Sequence, residues 1–180
     1  RLNTFPLTGE IVAIGILDAD ADQGAMYFQA PGRQIAPFTE EGVEFVMGTE
    51  RECLERFWAT CARTDRIITF NGRGFDAPWL MLRSLVHGVR CPKNLMPNRF
   101  GTDQHLDLMD QLSFYGATRN YSLDFWCKTL GFASPKVDIA GKDVPQIYAA
   151  GEYERIARYC ARDIRATREL YRKWQATMGK

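Results

Sequence analysis

The stretch Arg66-Ile-Ile-Thr-Phe-Asn-Gly-Arg-Gly-Phe-Asp-Ala-Pro-Trp-Leu80 passes from a strand through a glycine-containing loop into a helix. The apolar, β-branched residues up to Phe70 predict the strand, and the loop begins at Asn71. The helix is predicted to start near Asp76, because Pro78 suits a first helical turn. This strand–loop–helix order is typical of an α/β fold, in which ligands gather where strands end.

The segments on either side continue the alternation of strands and helices. An apolar run at Ile11–Leu17 predicts a strand buried on both faces, and Ala25–Gln29 predicts its returning partner. The other predicted elements are a helix opened by a capping box at Thr49–Glu52, a strand at Gln104–Met109, and helices at Ser122–Leu130, Val144–Ala149 and Glu152–Met178. We therefore expect one domain over residues 1–180, with an antiparallel hairpin and then parallel strands in a mixed sheet flanked by helices.

The composition excludes several classes of protein. The chain has 180 residues, a net charge of +1 and 46% hydrophobic residues. These values exclude disordered, collagen-like and disulfide-framework proteins, and they indicate no overall attraction to nucleic acid. No apolar run approaches the ~18 residues of a membrane-spanning helix, so we expect no membrane association. The five cysteines contain no C-x-x-C pair, which predicts reduced thiols and a cytoplasmic protein.

Two carboxylates stand out as candidate site residues. Asp76 lies at the strand-to-helix junction, beside the amide of Asn71 and the ring of Phe75. At about 100° per residue, Tyr159 and Asp163 lie one turn apart at the margin of the apolar stripe of the last helix. A carboxylate at such a margin needs a cation, a helix cap or a metal ion. A helix cap for Asp76 and an arginine partner for Asp163 remain open at this stage.

Together these segments resemble the DEDD superfamily of 3′–5′ exonucleases, in the subtype whose last motif contains tyrosine. Its second motif matches Asn71-Gly-Arg-Gly-Phe75-Asp76, and its third motif matches Tyr159-Cys-Ala-Arg-Asp163. The chain is similar over nearly its whole length to predicted exonucleases related to the proofreading domain of family B DNA polymerases. The resemblance implies a ribonuclease-H-like fold.

The resemblance also implies a reaction and a set of roles. The reaction is two-metal hydrolysis of single-stranded or frayed nucleic acid, DNA favoured over RNA, with Mg²⁺ or Mn²⁺ and release of nucleoside 5′-monophosphates. The implied catalytic residues are Asp76 and Asp163 as ligands of the two ions and Tyr159 as the residue that orients the attacking water. Asn71 and Phe75 are implied to hold the 3′-terminal nucleotide. Asp107 is expected behind them, in a supporting position at the same strand ends.

The sequence departs from the family in one respect. The family's first motif, Asp-x-Glu on the central strand, is not found in these residues, and Asp18-Ala-Asp20 lies in a predicted turn. We therefore expect an N-terminally incomplete domain, with a gap between the hairpin and the strand at Ile67. Two alternatives stay open. One is a catalytically inactive nuclease-fold module that binds nucleic acid or a protein, and the other is an unrelated α/β enzyme that uses Asp76 and Asp163 as acid and base.

The remaining polar groups are assigned structural roles. Asp18, Asp20 and Asp22 have the spacing of a calcium loop but lack its glycine and final glutamate, so we predict a solvated turn. His87 is expected at a helix end, and His105 in a structural pair at a strand end, with a metal site as its alternative. The arginines opposite the apolar stripe of the last helix are expected to face solvent.

Overall fold

The computed structural model describes residues 5–179, so Arg1–Thr4 and Lys180 of the predicted domain lie outside the described residues. The strands are β1 (Ala13–Leu17), β2 (Gly24–Phe28), β3 (Phe38–Glu40), β4 (Val43–Met47), β5 (Ile67–Thr69) and β6 (His105–Asp107). The helices are α1 (Glu50–Cys61), α2 (Asp76–His87), α3 (Leu108–Leu112), α4 (Leu123–Leu130), α5 (Val144–Ala149) and α6 (Tyr153–Thr177), with a 3-10 turn at Gly141–Asp143.

The strands form a larger sheet of mixed orientation and a smaller parallel one. The larger sheet has the order β1-β2-β4-β3, in which β1 and β2 form the predicted antiparallel hairpin and β2 runs parallel to β4. The smaller sheet pairs β5 with β6 in parallel, with Thr69 opposite Asp107. This mixed α/β architecture confirms the predicted fold class, which is consistent with a ribonuclease-H-like exonuclease.

The same helices cover both sheets. On one face, Ile14 of β1 and Ile67 of β5 pack against one cluster that contains Leu54 and Phe57 of α1. On the other face, the first half of α6 packs on β2 and its second half packs on β6. The approach is close at Gly15, where an added Cβ would lie 3.0 Å from Ile164 Cδ1 of α6. These shared layers place the two sheets side by side.

The two sheets are not joined to each other by hydrogen bonds between strands among the described residues. Among residues 5–179, no strand hydrogen-bonds to the outer edge of β1, nor to the edge of β5 away from β6. The expected separation between the hairpin and the strand at Ile67 is therefore present. The strand expected to occupy that separation stays a prediction.

Local signals set the helix boundaries. Thr49 and Glu52 form the predicted capping box of α1, and Ser122 accepts the hydrogen bond of the Phe125 amide at the start of α4. α2 ends at His87, followed by Gly88 in the left-handed conformation at φ 63°. The strand predicted over Gln104–Met109 is wrong at its end, because Asp107 caps α3 and the chain turns helical at Leu108.

The arginines of α6 lie at the surface as expected, but several of them also bind groups of the larger sheet and its loops. Arg158 binds the Glu40 carboxylate at 2.8 Å, and Arg172 donates to the carbonyl of Ala19 at 3.0 Å. Arg168 is paired with Asp22. These side chains connect α6 to β3 and to the turn between β1 and β2. The helical periodicity did not predict these contacts.

The acidic turn between β1 and β2 is structural, as predicted. Asp18 Oδ1 accepts hydrogen bonds from the backbone N–H groups of Asp20 and Ala21, at 2.8 and 3.0 Å. Separately, none of the helices within residues 5–179 is both long and apolar enough to cross a membrane.

Candidate active site at the strand ends

The loop that follows β5 is tightly folded. Asn71 adopts the left-handed conformation at φ 61°, which asparagine tolerates better than most residues. A Cβ at Gly72 would lie 2.4 Å from Thr69 Oγ1, and one at Gly74 would lie 2.6 Å from Asn71 Oδ1. Glycine is therefore needed at Gly72, where an added Cβ would also meet Thr69 Cβ at 2.5 Å, whereas at Gly74 the Asn71 side chain could move away.

Asp107 at the end of β6 holds this loop in place. Its carboxylate accepts hydrogen bonds from the backbone N–H groups of Asn71 at 2.8 Å and Arg73 at 2.9 Å. The same carboxylate accepts the Met109 N–H at 3.0 Å and thereby caps α3. The side chain is buried, at 4% exposure. Asp107 therefore lies behind the loop, in a position that fits the supporting role expected of it.

Asp76 is the first residue of α2, and the N-cap position belongs to Phe75, which makes no side-chain cap hydrogen bond. The structure therefore does not show the helix-cap role that was left open for Asp76. Part of the residue is open to solvent. Protein atoms nevertheless remove enough of the hydration of its carboxylate to raise the pKa of Asp76 to about 6, and the negative charges of Asp107 and Asp163 add to this shift.

Asp163 lies on α6 with its carboxylate half-buried. Burial raises the pKa of Asp163 to about 6, against the opposing effects of a hydrogen bond from Tyr159 and the positive charges of Arg162 and Lys136. The arginine partner left open by the sequence is not found, because Arg162 binds Asp138 at 2.6 Å instead. Within the described part of the chain, no Lys or Arg nitrogen forms an ion pair with Asp163.

Tyr159 lies one turn before Asp163 and is half-buried. Burial, followed by the negative charge of Asp163, raises the pKa of Tyr159 to about 12. The hydroxyl therefore stays protonated at neutral pH and can donate a hydrogen bond toward the Asp163 carboxylate one turn away. The pKa values of the two residues are thus linked.

The electrostatic effects show that the carboxylates share one region. Asp163 and Asp107 both raise the pKa of Asp76, and Asp163 and Asp76 both raise that of Cys160, whose largest cause is burial. The charged form of a carboxylate with like charges nearby is stabilised when a cation binds beside it. The structure therefore brings Asp76 of α2 and Asp163 of α6 close enough for the charge of Asp163 to act on Asp76.

Asn71 and Phe75 lie at the solvent side of the loop. The Phe75 side chain is 49% exposed, and its ring centroid lies 5.8 Å from that of the buried Trp79, with the two rings tilted by 43°. An exposed aromatic ring suits stacking on a planar group. The exposed Asn71 stands beside it on the same loop.

The described residues do not complete a centre for two metal ions. Within residues 5–179, no three His, Cys, Asp or Glu side chains come close enough to hold a metal ion. The carboxylates of Asp76 and Asp163 are hard oxygen donors of the kind that Mg²⁺ and Mn²⁺ prefer, yet two such groups are too few for two ions. The donor set fits the expected ions in chemistry but not in number.

Lys136 and His105 also lie in this region. Lys136 was missed from the sequence, where only its position in a polar loop was visible, and its charge acts on Asp163. His105 is buried, with Nε2 2.8 Å from Thr69 Oγ1 and Nδ1 2.8 Å from the Leu95 carbonyl. It makes the structural pair that was predicted for it.

Comparison with known proteins agrees with this geometry. Residues 10–180 match the family of predicted 3′–5′ exonucleases related to the exonuclease domain of PolB. The chain is 30% identical to the DNA polymerase of Thermococcus gorgonarius over 176 residues, covering 82% of this chain and 23% of that protein. It is 27% identical to the DNA polymerase of Desulfurococcus sp. (strain Tok), with the same coverage.

A third relative extends the match along the chain. The DNA polymerase of Thermococcus hydrothermalis is 28% identical over 183 residues, covering 93% of this chain and 10% of that protein. The chain thus spans less than a quarter of the length of these curated relatives. The chain belongs to the family of predicted 3′–5′ exonucleases related to the exonuclease domain of PolB.

Proposed function

We propose that this chain hydrolyses the phosphodiester bonds of single-stranded or frayed nucleic acid from the 3′ end, with DNA favoured over RNA, and releases nucleoside 5′-monophosphates. The observation that carries this proposal is the match to an exonuclease family of a chain in which the carboxylates of Asp76 and Asp163 lie close enough for the charge of one to raise the pKa of the other. In the reaction, the oxygen of a water molecule bonds to phosphorus, the bond from phosphorus to the 3′ oxygen breaks, and that oxygen receives a proton.

The proposed cofactor is Mg²⁺ or Mn²⁺, with two ions expected. Asp76 and Asp163 would contribute oxygen ligands, because partial desolvation and, for Asp76, neighbouring negative charges disfavour the charged forms and a cation would offset this. The missing donors are proposed to come from an Asp-x-Glu strand between β1 and β5, where both sheet edges are unpaired among the described residues. The ions would supply charge neutralisation at the phosphate when bound.

Tyr159 is proposed to position the attacking water. Its hydroxyl can donate toward Asp163, which leaves the lone pairs of the hydroxyl oxygen free to accept a hydrogen bond from water. With a pKa of about 12, the group is a poor base at neutral pH, so its role is orientation. Asn71 and Phe75 are proposed to hold the terminal nucleotide, by hydrogen bonding and by stacking.

The experiment is digestion of a 5′-labelled single strand with Mn²⁺, with chelator, and with Asp163→Ala. Glu169→Ala is the matched control, since Glu169 lies on the same helix and pairs with arginines at the surface. For a longer form of the chain that carries an Asp-x-Glu segment, we expect a ladder that shortens from the 3′ end, is lost with chelator and with Asp163→Ala, and persists with Glu169→Ala. A ladder from these 180 residues alone would mean that a local carboxylate replaces the missing pair. Digestion that survives chelation would refute the proposal and favour the acid–base alternative.

The incomplete donor set favours one alternative, a nuclease-fold module that binds nucleic acid or a protein without cleaving it. This alternative predicts binding of the labelled strand in Mn²⁺ with no shortening, both for this chain and for a longer form that carries an Asp-x-Glu segment. A cytoplasmic location is likewise proposed, and the free thiols of all five cysteines support it.

A further inference from the structure

A group of aromatic side chains beside the candidate site lies in solvent. The side chains of Phe100, Phe114, Phe125 and Tyr121 are 71, 57, 46 and 38% exposed. Two ring pairs are present. The ring centroids of Phe100 and Tyr115 are 5.0 Å apart, and those of Tyr121 and Phe125 are 4.5 Å apart with an interplanar angle of 16°; Phe114 precedes Tyr115 in the chain. We call these five residues the aromatic surface. Rings left in water in such a group mark an interaction site.

The backbone holds one of these rings outward at a cost. Phe114 and Tyr115 are consecutive residues in the left-handed conformation, at φ 51° and 58°. The turn is closed by hydrogen bonds from the Tyr115 N–H to the Asp110 carbonyl at 2.7 Å and from the Thr118 N–H to the Ser113 carbonyl at 3.0 Å. Two left-handed residues with side chains are unfavourable, and Phe114 gains no burial in return. Strain of this kind concentrates at functional sites.

Positive charge lies among the rings. The Arg119 guanidinium lies over the Tyr121 ring at 5.7 Å from its centroid, and no carboxylate within residues 5–179 pairs with it. Arg99 pairs with Asp110 at 2.8 Å but keeps 58% of its side chain exposed. Aromatic faces interspersed with arginines are the surface chemistry that binds bases and phosphates of a single strand.

The aromatic surface is tied to the candidate site by direct contacts. The Arg73 guanidinium donates to the carbonyls of Pro97 and Asn98, at 3.1 and 3.0 Å, and so fixes the loop that ends in Phe100. Asp107 binds the backbone of Arg73 and also caps α3, which leads into the turn at Phe114. The segments that carry Phe100 and Phe114 are therefore connected by hydrogen bonds to the loop that precedes Asp76.

We propose that the aromatic surface binds single-stranded nucleic acid on the 5′ side of the nucleotide that is removed, with bases stacked on Phe100 and Phe114 and a phosphate at Arg119. This inference rests on the proposed function and adds to it a second point of contact on the same strand. It predicts that long strands bind more tightly than short ones.

The test is fluorescence anisotropy with 5′-labelled thymidine strands of about four and about twenty nucleotides, in chelator so that no strand is cut. Phe100→Ala, Phe114→Ala and Arg119→Gln should each weaken binding of the long strand roughly five- to tenfold and change binding of the short strand less than twofold. Phe114→Trp keeps an aromatic ring at this position and should bind the long strand as tightly as the unsubstituted chain does. The matched controls are Leu85→Ala, at a side chain 74% exposed on α2, and Arg33→Gln, at an exposed arginine of another loop.

Each outcome decides the inference. Unchanged long-strand binding in all three variants, with thermal midpoints equal to the unsubstituted chain, would overturn it, as would failure of the unsubstituted chain to bind any strand. Phe114→Gly, which suits the left-handed backbone, repeats the loss of the ring without strain. Digestion in Mn²⁺ separates the two proposals. In a longer form that carries an Asp-x-Glu segment, digestion that is insensitive to Phe114 leaves the proposed function standing alone, whereas ring-dependent binding without digestion by that form refutes the function and retains the surface.

Discussion

Asp107 Oδ1 accepts a hydrogen bond from the backbone N–H of Asn71 at 2.8 Å, across 36 positions of sequence. Because the other oxygen of Asp107 accepts the Arg73 N–H, the loop between β5 and α2 cannot move without breaking contacts to a buried carboxylate. The position of Asp76, which ends this loop, therefore depends on a residue from the neighbouring strand. This dependence gives the first prediction.

Replacement of Asp107 by asparagine should destabilise the protein by about 1–3 kcal/mol, because an amide nitrogen cannot accept the hydrogen bond that one of these oxygens accepts. Digestion should weaken as well, through a rise in KM. The measurements are urea unfolding and strand digestion. Asp110→Asn is the control on α3, since Asp110 pairs with an exposed arginine, and it should change stability by less than about 0.5 kcal/mol. Equal effects of the two changes would contradict the anchoring role of Asp107.

Asp163→Asn should stabilise the metal-free protein at neutral pH. The folded state raises the pKa of Asp163 to about 6 from a usual value of 3.8, so the folded state binds the proton more tightly than the unfolded chain. The stability of the unsubstituted protein accordingly falls as the pH rises from about 4 to about 6. We expect a gain of about 1–2 kcal/mol for the variant at about pH 7.5 and none below about pH 4.

The measurement for Asp163 is urea unfolding at both pH values in chelator. Glu169→Gln on the same helix serves as the control and should be neutral or slightly destabilising at both. Addition of Mn²⁺ should raise the thermal midpoint of the unsubstituted protein more than that of Asp163→Asn. A variant that is less stable at about pH 7.5 would show that Asp163 has a favourable partner.

Tyr159→Phe should slow digestion about 10- to 100-fold while strand binding is retained, because the water loses the group that orients it. The change also removes a hydrogen bond that lowers the pKa of Asp163. The acid limb of the pH–rate profile should therefore move to higher pH. Tyr153→Phe is the control on α6, where the hydroxyl makes only a 3.5 Å contact with the Pro31 carbonyl. A slower variant with an unmoved acid limb would limit Tyr159 to packing.

Arg83→Met should destabilise the protein by about 3–5 kcal/mol, because it leaves the buried Glu50 carboxylate without its main cation. The guanidinium of Arg83 binds both oxygens of Glu50, at 2.7 and 2.6 Å, and His87 lies 2.8 Å from Glu50 Oε2. The control is Arg51→Met on the exposed pair with Glu55, which should cost less than about 0.5 kcal/mol. Thermal unfolding measures both, and a similar loss in the two variants would contradict this estimate.

Local patterns predicted most helices because their signals lie within a few residues of each boundary. Thr49 and Glu52 cap α1 through contacts three positions apart, and Gly88 ends α2 at the next residue. The pair β3 and β4 was not predicted, although its Glu41–Gly42 turn has the two positive φ angles of a tight hairpin. The parallel pairing of β2 with β4 has no local signal, since it is decided by the packing of Met26 and Phe45 against α6.

The sequence likewise indicated some features of the candidate site and not others. The motif spacing selected Asp76, Tyr159 and Asp163 as candidates, and the structure places Asp163 near enough to raise the pKa of Asp76. The contacts of Asp107 with Asn71 and Arg73 could not be read from sequence, because they join residues of different strands. The expected roles of the site residues stay predictions until the variants are assayed.

The arginines of α6 have a consequence for encounter with a charged polymer. A helix rich in arginine would ordinarily create a positive field that draws nucleic acid from a distance. Here Arg158 and Arg168 pair with carboxylates of the same molecule, and Arg172 donates to a backbone carbonyl. The net charge of the whole chain is +1. Long-range attraction is therefore weak, and capture of a strand depends on whether its end collides with the cleft in a suitable orientation. The association rate should accordingly change little with ionic strength.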